Sequence, residues 1–300
     1  MPSVSDLGVW KTPCEPAPRL AERLGLRAGD LWIKRDDWLG LGGGGNKLRK
    51  LEHLCGEAVA AGATTLVTTG AAQSNYARLT AASARRLGLD VVLVLHAGSG
   101  TGNLTLDAVF GAEIVWDGDP EEIAARRPGA AVLPYGGSSA VGARGYVTCA
   151  EEILEQVPGV QHVVVGVGSG GTMAGLVAGL GAGRVLGVDT GAVSDPVERV
   201  SGFVTELGVS AEGLRMRLDQ VGPGYELLTD AARQAISDAG RLEGLVLDPV
   251  YTAKAMAGLA AAVRDGDIKP GEKTVFVHTG GLPGLFGHPL AAELATLVMP

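Results

Sequence analysis

The chain has 300 residues, of which 46% are apolar and 19% are charged. A chain of this length and composition buries a large apolar core, which excludes wholesale disorder. Its formal net charge is −8, so neither nucleic acid nor an anionic membrane surface is an expected partner.

Short β-branched runs alternate with longer runs rich in alanine, leucine and arginine. In chain order the predicted elements are strand 66–69, helix 74–87, strand 91–96, helix 104–110, strand 113–116, helix 151–156, strand 162–167, helix 172–180, strand 185–189 and strand 275–277. Continuous apolar strands separated by helices indicate parallel sheets covered on both faces, with right-handed crossovers. The predicted fold class is therefore α/β.

Two glycine-containing stretches mark the candidate domain boundaries. Residues 42–45 are four consecutive glycines, and residues 137–145 are rich in alanine, glycine and arginine. We therefore expect a smaller domain over 46–155 and a larger domain made of 1–45 and 156–300.

The cysteines and the apolar runs bear on the cellular location. Cys14, Cys55 and Cys149 are an odd number without a CxxC spacing. We therefore expect neither a disulfide framework nor a metal site, and the reducing cytoplasm is the expected compartment. Residues 1–11 lack a basic segment followed by an apolar one, so no signal peptide is predicted. No apolar run reaches the roughly 20 residues that span a bilayer, so we expect no membrane partner.

The first loop that could carry chemistry is the four-glycine run before Lys47. It leads into a predicted helix with Asn46 as the expected N-cap. Lys47 would lie in the first helical turn, where the positive end of the helix dipole should lower the pKa of its amine. A lysine with a lowered pKa suits Schiff-base chemistry. The alternative is a solvated basic helix face.

The second loop, TTGAAQSNY over residues 68–76, runs from a predicted strand into a helix. Hydroxyl groups, an amide and backbone N–H groups converge at this helix start, which suits an anionic ligand. The alternative is that Ser74 or Asn75 only caps the helix.

The third loop, VGVGSGGT, also runs from strand to helix. Gly166, Gly168 and Gly171 satisfy the pattern GxGxxG, and Asp189 follows at the distance that the dinucleotide fingerprint requires. A nest of backbone N–H groups at a helix start binds any phosphate, however. The loop therefore predicts a phosphate site, and an NAD(P)-dependent oxidoreductase is one alternative.

Two further segments follow near the end of the chain. Tyr251 lies in DPVYTAKAM over 248–256, and Thr279 lies in HTGGL over 278–282, after a predicted strand. Each residue is a candidate for the site. Each could equally be an ordinary boundary aromatic or strand end.

Taken together and in this order, the motifs GGNKLRKLE, QSN, GSGGT, DPVY and HTGG resemble the pyridoxal-phosphate (PLP) enzymes of fold type II, the tryptophan synthase β type. The resemblance is closest to the branch of D-cysteine desulfhydrase and 1-aminocyclopropane-1-carboxylate (ACC) deaminase. It covers nearly the whole chain, from Thr12-Pro13 to 278–281. It implies two lobes, each a mainly parallel twisted sheet flanked by helices, with PLP in the cleft between them. The larger lobe would be the cofactor-binding one, and the enzyme would be a cytoplasmic homodimer.

The resemblance assigns the cofactor-binding residues. Lys47 would carry PLP covalently, Lys50 would help to hold its phosphate, Asn75 would bind its 3′-oxygen and Thr279 would face its pyridine nitrogen. The phosphate loop would consist of Gly168, Ser169, Gly170, Gly171 and Thr172.

The resemblance also assigns the catalytic residues. Lys47, once freed, would remove the α-proton of a small amino-acid substrate. Ser74 would sit by the substrate carboxylate or the reacting centre. Tyr251 would take part in proton handling, and Tyr225 matches a second tyrosine of the active site.

Two positions bear on the substrate. ACC deaminases that resemble this chain have a glutamate after the DPVY tyrosine and a leucine before the last GG. Here these residues are Thr252 and Thr279, which is similar to the D-cysteine desulfhydrase pattern. A hydroxyl opposite the pyridine nitrogen supports a neutral ring, which is a weaker electron sink. We therefore expect α,β-elimination of D-cysteine to pyruvate, hydrogen sulfide and ammonia. The alternatives are ACC deaminase, an L-cysteate sulfo-lyase-like activity and a non-catalytic PLP-binding paralogue.

Overall fold

The computed structural model describes residues 4–296 and divides them into two compact units, each with its own sheet. The first unit consists of residues 4–9, 39–145 and 283–296, and the second consists of residues 10–38 and 146–282. Among residues 4–296, none of the helices combines the length and the hydrophobicity of a membrane-spanning segment.

These bounds differ from the domain bounds expected from the sequence. The four-glycine loop lies in the first unit, because the guanidinium of Arg78 donates hydrogen bonds to the carbonyls of Gly42 and Gly44. The end of the helix that follows residue 145 lies in the second unit, where the Tyr146 hydroxyl donates to Asp36 Oδ2 at 2.6 Å.

The elements follow the alternating order that the sequence indicates. The strands are β1 Cys14–Pro16, β2 Leu31–Arg35, β3 Thr65–Gly70, β4 Asp90–Leu95, β5 Glu113–Trp116, β6 Ala130–Val132, β7 His162–Val167, β8 Val185–Asp189, β9 Arg215–Arg217 and β10 Thr274–His278. The helices are α1 Pro18–Leu24, α2 Lys47–Ala60, α3 Asn75–Arg86, α4 Asn103–Val109, α5 Pro120–Ala125, α6 Ala140–Gln156, α7 Gly171–Leu180, α8 Pro196–Glu206, α9 Asp230–Glu243, α10 Thr252–Arg264, α11 Leu282–Gly287 and α12 Leu290–Thr296.

The sheet of the first unit is parallel throughout, in the order β5-β4-β3-β6. Val67 of β3 is in register with Val92 of β4 on one side and with Val132 of β6 on the other. Helix α3 packs on β3 and β4, and α5 packs on β3 and β6. The loops that follow β3 therefore start at the carboxyl edge of a buried sheet.

The sheet of the second unit has the order β1-β2-β10-β7-β8-β9, and only β1 is antiparallel to its neighbour. Phe276 at its centre is in register with Ile33 of β2 and Val164 of β7. All three side chains belong to one buried cluster, which also contains residues of α1, α9 and α10. Since β8, β7 and β10 are adjacent and parallel, the loops after them lie along one edge of this sheet.

One predicted element is much too short. The expected helix 151–156 is only the end of α6, which begins at Ala140. The boundary between the two units follows Gly145, at the end of the stretch 137–145, and the glycines of this stretch also allow close packing. A Cβ at Gly142 would lie 2.2 Å from the carbonyl oxygen of Gly137, and one at Gly145 would lie 2.0 Å from that of Arg49.

Candidate active site

Lys47 is the first residue of α2, directly after the glycine loop. The glycines at 42–45 have φ between 59° and 123°, a region that glycine alone adopts without strain. Asn46 occupies the N-cap position, but its side chain makes no capping hydrogen bond. Its backbone is already helical, with φ −51° and ψ −23°, whereas a capping residue is extended. Asn46 is therefore the N-cap residue that the sequence predicts, but its side chain does not act as the cap.

The amine of Lys47 has a strongly lowered pKa. Burial lowers this pKa to about 8, and a hydrogen bond with Lys50 acts in the opposite direction. The direction agrees with the expectation from the sequence, but the cause is desolvation rather than the helix dipole. A lysine of this kind is deprotonated in part near neutral pH, which both a nucleophile and a base require.

Lys50 is fully buried one turn further along α2. Its Nζ donates to Ser138 Oγ at 3.0 Å and to the carbonyl of Gly136 at 3.3 Å. These contacts fix the ammonium near Lys47. Its expected contact with a phosphate stays a prediction.

The start of α3 presents two polar groups with unused hydrogen-bonding capacity. Ser74 caps the helix, and its Oγ accepts from the N–H of Ala77 at 3.1 Å. Its own hydroxyl proton has no acceptor among residues 4–296. The side-chain oxygen of Asn75 is buried without any partner in the same range. Capping thus occurs here, but it leaves a donor and an acceptor for a ligand.

In the second unit, the GSGGT loop connects β7 to α7. A Cβ at Gly168 would lie 3.0 Å from the ring of Tyr251, so glycine is needed for this ring to approach the backbone. Gly170 has a φ of 94°, and α7 begins at the next residue with no acidic side chain in its first turn. Ser169 and Thr172 are buried. The backbone N–H groups at such a helix start suit a phosphate.

The loop contains one feature that sequence reasoning missed. Arg199 of α8 donates from Nε to the carbonyl of Ser169 at 2.9 Å. This bond orients the loop and brings a positive charge beside it. No sequence signal linked the two, because Arg199 is thirty positions away on another helix.

Tyr225 and Tyr251 form a pair. Their hydroxyl groups are in hydrogen-bond contact, and their ring centroids lie 5.8 Å apart with an interplanar angle of 71°. The structure thus brings together the two tyrosines that the sequence analysis took from different segments. A hydroxyl pair of this kind can share or relay a proton.

The HTGG loop follows β10. The Thr279 side chain is half-buried, and its hydroxyl has no hydrogen-bond partner in the described part of the chain. His278 before it is buried and accepts at Nδ1 from the N–H of Gly280, and its Nε2 contacts the carbonyl of Val246 at 3.1 Å. Burial lowers the pKa of His278. A neutral ring satisfies both contacts, so His278 shapes the loop.

The DPVY loop is organised by Asp248. Its Oδ2 accepts from the N–H groups of Val250 and Tyr251, and its Oδ1 accepts from the N–H and the hydroxyl of Thr252. A Cβ at Gly281 would lie 2.8 Å from Asp248 Cβ, so the DPVY and HTGG loops are in contact. Sequence reasoning did not assign Asp248 this role, since capping by a residue four positions before a helix is hard to recognise.

Asp189 was the residue that favoured a dinucleotide. It is buried at the end of β8, and its Oδ1 accepts from the N–H of Gly191 at 2.9 Å. The carboxylate therefore closes the turn after its own strand.

Comparisons with known proteins agree on a family. A family model described as "Pyridoxal-phosphate dependent enzyme" matches residues 5–280. A protein of Pyrococcus abyssi named "Putative 1-aminocyclopropane-1-carboxylate deaminase" is 39% identical over 92% of this chain and 91% of its own length. A relative of the same name from Pyrococcus horikoshii is also 39% identical, over the same shares.

Solved structures show the same fold. A crystal structure described as an ACC deaminase homologue superposes with a TM-score of 0.88 and 37% identity, over 99% of this chain and 96% of that one. Threonine deaminase isoform 2 from Solanum lycopersicum gives a TM-score of 0.70 at 20% identity, over 97% and 88%. This second likeness concerns the fold alone.

The residues present fit PLP. The Lys47 amine has a lowered pKa, the Asn75 side-chain oxygen is buried without a partner in the described range, and the GSGGT loop opens a helix without acidic residues in its first turn. An aldehyde, a ring hydroxyl and a phosphate are the groups that such residues would bind. The chain therefore belongs to the PLP-dependent enzymes of fold type II, in the branch of ACC deaminase and D-cysteine desulfhydrase, and PLP is its cofactor.

Proposed function

We propose that this enzyme is a carbon–sulfur lyase that converts D-cysteine to pyruvate, hydrogen sulfide and ammonia. The observation that carries the proposal is the environment of Thr252. It follows the DPVY tyrosine, is 1% exposed and uses its hydroxyl on Asp248. The loop therefore presents no free carboxylate, because that of Asp248 already accepts four hydrogen bonds.

The two candidate reactions differ in how strong an electron sink they need. PLP, when bound, supplies an electron sink for the charge that develops at the α-carbon. A carboxylate beside the ring nitrogen would favour the pyridinium form, whereas a hydroxyl such as that of Thr279 supports a neutral ring. Expulsion of a thiolate from a β-carbon needs a weaker sink than the opening of a cyclopropane ring. The hydroxyl-lined loops therefore favour elimination of sulfide.

The cofactor-binding roles are those that the family resemblance implies. Lys47 would hold PLP covalently, and Lys50 and the GSGGT loop would neutralise its phosphate. Asn75 would use its unpartnered oxygen on the ring hydroxyl of PLP. The hydroxyl of Thr279 would form a hydrogen bond with the ring nitrogen of PLP, as donor or as acceptor. The lowered pKa of Lys47, the positive charge of Lys50 and the unpartnered side-chain oxygen of Asn75 support the assignment.

The remaining groups would handle the substrate. Nζ of Lys47, with its pKa near 8, would take the α-proton. The free hydroxyl proton of Ser74, together with the N-terminus of α3, would bind the substrate carboxylate. The hydroxyl pair of Tyr225 and Tyr251 would donate a proton to the sulfur of the substrate thiol as the C–S bond breaks, so that it leaves as hydrogen sulfide. Water then converts the released enamine to pyruvate and ammonia.

ACC deaminase is the second candidate. Both Pyrococcus relatives carry that name, and the superposed crystal structure is described as a homologue of that enzyme. Chains that are about two-fifths identical can differ in substrate through a few side chains in the site, so these names support the reaction class more than the substrate.

The deciding experiment offers the purified holoenzyme D-cysteine, L-cysteine and ACC in parallel. We expect sulfide and pyruvate in equal amounts from D-cysteine and no 2-oxobutyrate from ACC. Release of 2-oxobutyrate from ACC without sulfide from D-cysteine would establish the second candidate instead. Tyr251→Phe is the matched variant, because it keeps the ring against Gly168 and removes only the hydroxyl.

We also propose that the enzyme works as a cytoplasmic homodimer. Cys14, Cys55 and Cys149 form no disulfide with one another, which supports a reducing compartment. Light scattering of the purified protein measures the oligomeric state.

A further inference from the structure

A buried ammonium group holds the loop that carries Tyr225. Lys254 lies in the first turn of α10 and is 0% exposed. Its Nζ donates to the backbone carbonyls of Thr190 (3.2 Å), Val221 (2.9 Å), Gly224 (2.8 Å) and Tyr225 (2.9 Å). An ammonium group has three protons, so these four oxygens surround it as ligands surround a small cation.

Three of the four carbonyls belong to one irregular segment, residues 221–225, with the sequence VGPGY. Glycine-rich segments of this kind have many accessible conformations and need an anchor to adopt one. The fourth carbonyl, that of Thr190, lies just after β8. A Cβ at the next residue, Gly191, would lie 2.7 Å from Val221 and 3.5 Å from the Cα of Tyr225. Lys254 thus fastens the VGPGY segment closely to the end of the sheet.

Helix α10 contacts the segment a second time. Tyr251 precedes Lys254 by three positions, so both side chains lie on one face of the helix start. The ammonium of Lys254 binds the backbone carbonyl of Tyr225, and the hydroxyl of Tyr251 meets the hydroxyl of the same tyrosine. The position of the tyrosine pair therefore depends on the position of the ammonium. Burial lowers the pKa of Lys254, and the charges of Asp189 and Asp248 oppose this effect.

We propose that Lys254 is a positioning residue that acts as a built-in monovalent cation, whose four carbonyl ligands fix the Tyr225 hydroxyl against Tyr251. Backbone carbonyls are also the ligands that replace the hydration shell of potassium in proteins, and ammonium and potassium ions are similar in size. Truncation of the side chain should therefore leave a site that potassium or ammonium from solution can fill. The effect on turnover rests on the proposed role of the tyrosine pair, whereas the binding of the cation does not.

The test uses Lys254→Ala in potassium, ammonium and tetramethylammonium chloride at equal ionic strength. Thermal unfolding of the protein is the first measurement. We expect the Tm of the variant to be higher in potassium or ammonium chloride than in tetramethylammonium chloride. The Tm of the wild type should be the same in all three salts. Turnover of D-cysteine by the holoenzyme is the second measurement. We expect kcat to fall roughly 10- to 100-fold in tetramethylammonium, as for a misplaced catalytic group, and to recover in the smaller cations.

Lys254→Met is the control, since it fills the cavity with an uncharged chain and should show no response to cations. Amide hydrogen exchange over 221–225 should be faster in this variant than in the wild type. The proposal is overturned if Lys254→Ala has the same Tm and kcat in all three salts. Should that variant be unfolded in every salt, unchanged exchange over 221–225 in Lys254→Met overturns it. If the wild type does not turn over D-cysteine, the proposed function fails, but the Tm comparison still decides the cation site.

Discussion

The Thr252 hydroxyl donates to Asp248 Oδ1 at 2.7 Å and accepts from the N–H of the same aspartate, also at 2.7 Å. Both residues are almost completely buried. This reciprocal pair fixes the start of α10, and with it Tyr251 and Lys254. The residue on which the proposed substrate depends is therefore also a structural residue.

Replacement of Thr252 by valine should destabilise the protein. The buried N–H of Asp248 loses its acceptor, and Oδ1 loses one donor, so the expected cost is about 1–3 kcal/mol. Urea unfolding of the apoprotein measures it. Thr252→Ser keeps the hydroxyl and should retain most of the stability. Equal stability of the valine variant and the wild type would show that this pair contributes nothing.

Replacement of Thr279 by valine should lower activity but leave stability nearly unchanged. Its hydroxyl has no partner within residues 4–296, so the free energy of unfolding should change by less than about 1 kcal/mol. The value of kcat/KM for D-cysteine should fall about tenfold, as expected for the loss of one hydrogen bond to the cofactor. Unchanged kcat/KM, or a large loss of stability, would remove Thr279 from the site.

Asp107 on α4 predicts a pH dependence of stability. It is fully buried, neither carboxylate oxygen has a partner in the described range, and burial raises its pKa to about 7 against the charge of Arg78. Between the unfolded pKa near 3.9 and about 7, the folded state keeps a proton that the unfolded state releases. The stability that this group contributes is therefore present at low pH and is lost as the pH rises through 7.

Asp107→Asn cannot ionise and tests this directly. Its free energy of unfolding relative to the wild type should increase between about pH 4.5 and about pH 8. Urea unfolding at several pH values provides the measurement. A difference that is constant over the range would mean that Asp107 does not titrate there.

Arg78 should keep the glycine loop before Lys47 ordered. Its guanidinium donates to the carbonyls of Gly42 and Gly44 through two different nitrogens. The single ammonium nitrogen of a lysine cannot reproduce this arrangement. Amide exchange over 42–47 should be faster in Arg78→Lys. Arg85→Lys on the same helix is the control, because Arg85 binds the carbonyls of Phe110 and Gly111 instead. Unchanged exchange over 42–47 would contradict this role.

The strands were the most predictable part of the fold. The predicted strands 113–116, 162–167 and 185–189 have the observed bounds, because apolar β-branched runs between glycines allow little else. Strand β2 was not predicted, since Lys34 and Arg35 lie within it. Lys34 can be buried because Glu152, far away in sequence, pairs with it at 2.6 Å and the carbonyl of Thr12 accepts from it at 2.6 Å.

The helix that carries Lys254 was also missed. Nearly every residue from Thr252 to Ala262 is buried, so α10 lacks the polar stripe by which a surface helix is recognised. The residues of the candidate site came from motif resemblance. Three of their supports, Arg78, Arg199 and Lys254, depend on contacts between distant segments, which no local pattern reveals.

The central claim is that Lys47 carries the cofactor. Borohydride reduction of the PLP-loaded protein, followed by proteolysis and mass spectrometry, tests it most directly. We predict a single reduced pyridoxyl adduct on the peptide that contains Lys47, and none in Lys47→Ala, with the exposed Lys269→Ala as the control. An adduct on another lysine, or an unchanged adduct in Lys47→Ala, would contradict the account.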